Sequence, residues 1–262
     1  TVGKYLRDAE NFLLFSNVRE ISSELMMEYK SYILNAWKIS SVNSMITAVN
    51  SYLKWAGQAE FSIHTCRVQK QIFREKSREL GKEEYYRLLN AAVSEKRERL
   101  SGILRTIAAT GMRIGELRYL TVGTLSRQKI EIHFKGKQRV ILMARSLVIF
   151  LRDHCRRNRI TSGIIFATKN GNPVDRRNIW AEMKELCEPA RVLPSKVFPH
   201  NLRHLFARCF YERERDLVRL ADYLGHSSIE TTRRYTMITS EEACARELEL
   251  GLAGNESWGG AE

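Results

Sequence analysis

One stretch of this chain alternates between apolar and polar residues, while the rest follows a helical period. In "KIEIHFKGKQRVILM", residues 129–143, Ile130, Ile132 and Phe134 interleave with Glu131, His133 and Lys135, and "RVILM" returns after a glycine-containing turn. A period of two broken at Gly136 predicts a β-hairpin with a lysine at its tip. "GIIFA" at 163–167 reads as another short strand. So little strand has to lean on helices to bury its apolar face, and the expected fold is mainly α with a small β-sheet.

Three amphipathic helices fill the first sixty residues. Their apolar positions are Val2, Tyr5, Leu6, Ala9, Phe12 and Leu13, then Leu25, Met26, Tyr29, Ile33 and Leu34, then Met45, Ile46, Val49, Tyr52 and Leu53, with Gly57 as a stop. They define a small all-helical domain over 1–64. The segment "RVQKQIFREKSR" at 67–78 holds five basic residues and one acidic one, and 65–80 reads as a basic linker. Helical periodicity resumes in "KEEYYRLLNAA" and "LSGILRTIAATG", so that 81–262 forms a second domain with a C-terminal helix and a flexible tail, "GNESWGGAE".

A chain of 262 residues is long enough for two such domains. No apolar run approaches the roughly 18 residues that span a bilayer, and no basic-then-apolar leader opens the sequence, so the expectation is a cytoplasmic protein without membrane contact. Cys66, Cys155, Cys187, Cys209 and Cys244 show no C-x-x-C spacing and read as reduced thiols. The net charge of +13 lies wholly downstream of residue 60, because residues 1–60 carry six Lys/Arg against six Asp/Glu. A cationic surface of that size suits a polyanion, nucleic acid above all.

Four clusters carry chemistry. "ATGMRIGEL" sets Arg113 just after a glycine and Glu116 three residues on, where a helix lets the carboxylate hold the guanidinium. The hairpin tip offers Lys135 and Lys137. "HNLRHLFARCFY" at 200–211 places His200, Arg203 and His204 on one helical face, with Leu202, Leu205 and Phe206 spread around the other side, so the cationic face points at an anion or a metal. "LGHSSIETTRRYT" offers His226 in a loop, a Ser227–Glu230 capping box that starts a helix, and Tyr235 in a polar run with no apolar stripe to join. Taken singly, each has a plain structural explanation: a surface ion pair, a solvated lysine, a packed tyrosine. Zinc does not fit, because a helical H-E-x-x-H site needs glutamate where Asn201 stands, and no third ligand is at hand. No metal or cofactor is expected.

Together the clusters resemble the tyrosine recombinase (phage integrase) family, Xer-type recombinases included. "TVGKYLRDAENFLLF" resembles the opening of that family's core-binding domain and "LGKEEYYRLLNAA" the start of its catalytic domain. "ATGMRIGELRYL", "FKGKQRVIL", "PHNLRHLFA" and "LADYLGHSSIETTRRYT" follow in the family's order. The resemblance implies an N-terminal all-helical core-binding (SAM-like) domain and an α+β catalytic domain that clamp double-stranded DNA at inverted-repeat half-sites, working as a homo-tetramer. It implies an active-site set of Arg113, Lys135, His200, Arg203 and His226, with Tyr235 as nucleophile; Glu116 supports Arg113 by its spacing three residues on. Lys135 is preferred to Lys137 because the family lysine directly precedes the turn glycine. The implied activity is site-specific recombination (integration, excision or dimer resolution) through a 3′-phosphotyrosyl intermediate, independent of metal and ATP.

Chemistry supports those roles. Guanidinium groups stay protonated and offer forked donors to the added charge of a phosphorane-like state, which suits Arg113 and Arg203, with His226 as a third donor. A tyrosine of pKa about 10 needs a cationic field and a base such as His200, and Lys135 can protonate the departing 5′-oxygen. A type IB topoisomerase and a non-enzymatic DNA-binding protein are the competing readings. After Tyr235, "SEEACARELELGLAG" carries Ala243, Leu248, Leu250 and Leu252 on a short helix that would dock on a neighbouring protomer or on its own domain.

Overall fold

The computed structural model describes residues 2–67, 78–134, 137–226 and 229–233. The chain divides into two compact units, Thr1–Gln71 and Ile72–Glu262.

The first unit is built from α1 (Val2–Ser16), α2 (Ser23–Ala36) and α3 (Ile39–Trp55). Ser22 starts α2 by accepting a hydrogen bond from the Leu25 amide at 3.2 Å. Its core is Phe12, Met26, Tyr29, Ile33, Val42, Met45, Ile46, Val49 and Leu53. Helix α1 is rotated from the face its apolar residues predict: Val2, Leu6 and Leu13 are exposed, while Asp8, Phe12 and Ser16 are buried. The two polar residues are accommodated differently. Ser16 donates to the Leu13 carbonyl, whereas Asp8 has ion pairs with Lys4 at 3.5 Å and Arg7 at 3.8 Å while its Oδ2 accepts no hydrogen bond among the described residues. The turn lets Phe12 and Phe15 both meet the Tyr29 ring, at 5.0 and 5.3 Å.

Two amides seven residues apart on α3 then capture the chain that leaves the helices. Asn50 exchanges two hydrogen bonds with the Ile63 backbone, and Asn43 does the same with Cys66. These bonds hold the backbone at Ile63 and Cys66 against α3.

The second unit holds α4 (Lys82–Ser94), α5 (Glu98–Thr110), a 3-10 turn (Ile114–Tyr119) and α6 (Val122–Arg127). The hairpin strands β1 (Lys129–Phe134) and β2 (Lys137–Leu142) follow, then α7 (Arg145–Arg157), α8 (Arg176–Glu185), α9 (Pro199–Glu214), α10 (Leu217–Leu224) and α11 (Ile229–Arg233). The strands pair antiparallel with Ile130 opposite Ile141 and Ile132 opposite Arg139. The isoleucines are buried, as the alternation requires. Residues 163–167 do not form a strand. Ile164 and Ala167 make only single bridges, to Thr121 and Pro173. Ile165 and Phe166 are both buried, and Gly163, at φ +77°, bends the chain beside them. An apolar run can fill a core without a ladder. Helix α9 starts with Pro199 in its first turn and packs against α5, which brings the ends of both helices to one place. No helix among the described residues is long and apolar enough to cross a membrane.

Candidate active site

Two helix ends set the walls of the site. Helix α5 stops at Gly111 in the left-handed conformation, φ +62°, and a Cβ there would lie 2.4 Å from the Phe206 ring. Helix α10 stops in the same way at Gly225, φ +61°, where a Cβ would lie 2.5 Å from Cδ of Arg139. Only glycine satisfies both the backbone angle and the close approach. Beyond Gly111 comes Arg113, and directly beyond Gly225 comes His226.

Arg203 joins the walls from beneath. It is 1% exposed, and its guanidinium donates to Gly111 O at 2.6 Å and Leu224 O at 2.7 Å. The same Nη2 lies 2.8 Å from Nε2 of His226. The sequence pattern aims the His200, Arg203, His204 face outward. In the structure only His200 is exposed, its ring edge-on to His204 at 4.6 Å, and His204 is buried with Arg203. A cation can line a core when main-chain carbonyls at two helix ends converge on it.

His226 is held on both sides, with Nδ1 2.8 Å from Oγ1 of the buried Thr232 on α11. Burial pushes its pKa down to about 4, and the charges of Arg203, Arg113, Arg139 and His200 push the same way. The ring is thus neutral near pH 7. A guanidinium can only donate, so Nε2 is the acceptor and the ring proton sits on Nδ1, facing the threonine hydroxyl.

Arg113 is the exposed member, its side chain 48% accessible at the mouth. It caps the 3-10 turn rather than lying inside a helix. Glu116 reaches back to the Arg113 amide at 2.7 Å and to its Nη1 at 3.0 Å, so the pairing predicted from the spacing of the two residues is present. Sequence reasoning passed over a third member. Arg139 on β2, 10% exposed, donates from Nη1 to both Glu116 oxygens, at 2.6 and 2.7 Å, and from Nη2 to Tyr223 O at 3.1 Å. Burial lowers its pKa, opposed by the Glu116 charge. The clue was in the alternation: Arg139 shares parity with the buried Ile141, an arginine on the core face of a hairpin strand.

The structure therefore brings together Arg113, Glu116, Arg203 and His226, with His200 on the first turn of α9. Lys135, Ser227, Tyr235 and the C-terminal helix of 240–254 lie outside the described residues, as does most of the basic linker. No group of three or more His, Cys, Asp or Glu is gathered among the described residues.

Residues 78–242 match the phage integrase family. The chain is 28% identical over 215 residues to the tyrosine recombinase XerA of Pyrococcus furiosus, covering 78% of this chain and 72% of that protein. It resembles the crystal structure of XerA recombinase with a TM-score of 0.56 at 25% identity, over 94% of this chain and 89% of that one. It shares the fold of XerH recombinase bound to palindromic difH substrate in a post-cleavage complex, with a TM-score of 0.67 at 21% identity, over 89% of this chain and 75% of that one.

Proposed function

Because the chain belongs to the phage integrase family of tyrosine recombinases, we propose that it cleaves and rejoins double-stranded DNA at specific sites through a 3′-phosphotyrosyl bond to Tyr235. The observation that carries this reading is the convergence of Arg113, Arg203 and His226 on two glycine-ended helices, with Arg113 exposed at the mouth.

In this mechanism the exposed Arg113 fork takes the non-bridging oxygens of the scissile phosphate. Arg203 adds charge from behind Gly111 and Leu224, where a low-dielectric setting strengthens its field. For His226 to serve as a third donor, one ring nitrogen has to leave its present partner, Arg203 Nη2 or Thr232 Oγ1. Tyr235 gives its proton to His200 and attacks phosphorus. The bond to the 5′-oxygen breaks, and Lys135 protonates the leaving oxygen. The phosphotyrosyl ester conserves the bond energy, so a second 5′-hydroxyl reseals the strand without ATP or metal.

The N-terminal unit serves as the core-type DNA-binding domain, 65–80 as the linker and 81–262 as the catalytic domain. The active species is a cytoplasmic homo-tetramer on inverted-repeat half-sites. The solved XerH complex with a palindromic substrate supports that reading of the target.

A pool of nicked duplexes with randomised sequence tests the chemistry, because loss of the short 5′-hydroxyl fragment traps the covalent adduct. Wild-type protein should give a denaturant-resistant protein–DNA adduct and Tyr235→Phe none. Equal adduct from both proteins overturns the assignment of Tyr235.

A further inference from the structure

Glu116 presents an electrostatic problem that the proposed mechanism leaves open. Its carboxylate touches Arg113 twice, through the backbone amide and through Nη1. A carboxylate so close to the guanidinium that is to hold a phosphate cancels part of its charge and repels the phosphate itself. The family reading assigns no residue to offset it.

Arg139 is placed to do so. Its Nη1 lies between the two Glu116 oxygens, its side chain is 10% exposed against 13% for Glu116, and the pair is therefore largely shielded from water. The contacts to Arg113 Nη1 and Arg139 Nη1 share the Oε1 atom, at 3.0 and 2.6 Å, so the stronger claim on the carboxylate is that of Arg139. Two guanidinium groups and one carboxylate leave a net charge of +1, and the exposed partner is Arg113. The second arm of Arg139, to Tyr223 O, and the packing of its stem against Gly225 tie this arrangement to the segment that carries His226.

We propose that Arg139 is a positioning residue for strand cleavage: it engages the Glu116 carboxylate from β2, so that Glu116 orients Arg113 without neutralising it toward the scissile phosphate. This rests on the recombinase reading, in which Arg113 binds that phosphate. Arg139 itself does not touch the DNA.

The test uses the full chain and the duplex sequence recovered from the nicked pool by the wild-type protein, made in two forms. One has an ordinary scissile phosphodiester. The other has a methylphosphonate there, in which a methyl group replaces one charged oxygen. Arg139→Met should slow adduct formation on the phosphodiester by about 10-fold or more. On the neutral linkage it should slow it less than about 3-fold, because there the uncompensated Glu116 has little charge to repel. Glu116→Gln/Arg139→Met should be faster on the phosphodiester than Arg139→Met alone.

A merely structural bridge would slow both linkages alike, and that result overturns the proposal. So does a double variant no faster than the single one. Should Arg139→Met fail to fold, Glu116→Gln and Glu116→Gln/Arg139→Met are compared instead. With the carboxylate already neutral, loss of Arg139 should cost less than about 3-fold, and a larger loss overturns the idea. Absence of any adduct from the wild-type protein sinks the recombinase reading itself, a distinct outcome from a defect confined to the Arg139 variants.

Discussion

Arg113 and Arg203 are the same side chain in adjoining regions of one unit, and the structure uses them in opposite ways. Arg203 is buried on α9, with two main-chain carbonyls and an imidazole around it, whereas Arg113 stands half exposed on a turn and leans on one carboxylate. The difference teaches that a cationic cluster contains both framework and reagent. One arginine fastens the ends of α5 and α10 together, and the other keeps its guanidinium open to solvent, the arrangement that the proposed mechanism uses to hold the phosphate.

The largest effect belongs to the framework member. Arg203→Met should lower unfolding free energy by ~3 kcal/mol or more, since it strips charged donors from two buried carbonyls, and it should abolish the adduct. Urea unfolding followed by circular dichroism measures the first effect and the adduct gel the second. Arg113→Ala should cost under ~1 kcal/mol of stability, as exposed ion pairs contribute little, yet slow cleavage by about 100- to 1000-fold. If the two variants lose stability equally, the division into framework and reagent breaks.

A smaller effect sharpens the comparison through pH. Folded His226, with its pKa depressed to about 4, binds fewer protons than the unfolded chain, whose histidines titrate near about 6.5. Its contribution to stability is therefore complete above about pH 6.5 and is lost as pH falls toward about 4. Burial pushes the pKa of His154 down as well, so it adds to the same slope. Melting temperature should drop across this window, and His226→Gln should flatten the drop in part. An unchanged slope in that variant removes His226 from the buried cationic assembly.

The sequence made some of this legible and not the rest, for identifiable reasons. The hairpin was readable because a period of two has one structural meaning when a glycine turn follows it, and Ile130, Ile132 and Ile141 are buried accordingly. Helices α2 and α3 were readable on Met26, Tyr29, Ile33, Met45, Ile46, Val49 and Leu53. Helix α1 was misjudged because hydrophobicity does not register that Ser16 bonds its own helix and that Lys4 and Arg7 flank Asp8 within one turn. Residues 163–167 were misjudged because burial on both sides looks the same in a strand and in a bent core segment. At the site, the Arg113–Glu116 pair follows from local spacing. The burial of Arg203 and the reach of Arg139 depend on carbonyls at residues 111, 223 and 224, which no local pattern reports.

The two glycine helix ends also determine how this protein can vary. At Gly57 the backbone is likewise left-handed, φ +75°, but nothing lies within 4 Å of the place a Cβ would take, so asparagine or aspartate fits there. At Gly111 and Gly225 those same residues satisfy the backbone angle and then collide with Phe206 or Arg139. Every single-codon step away from glycine at either position adds a carbon that has no room. Any substitution at these two positions therefore requires Phe206 or Arg139, and with them the packing around Arg203 and Glu116, to shift.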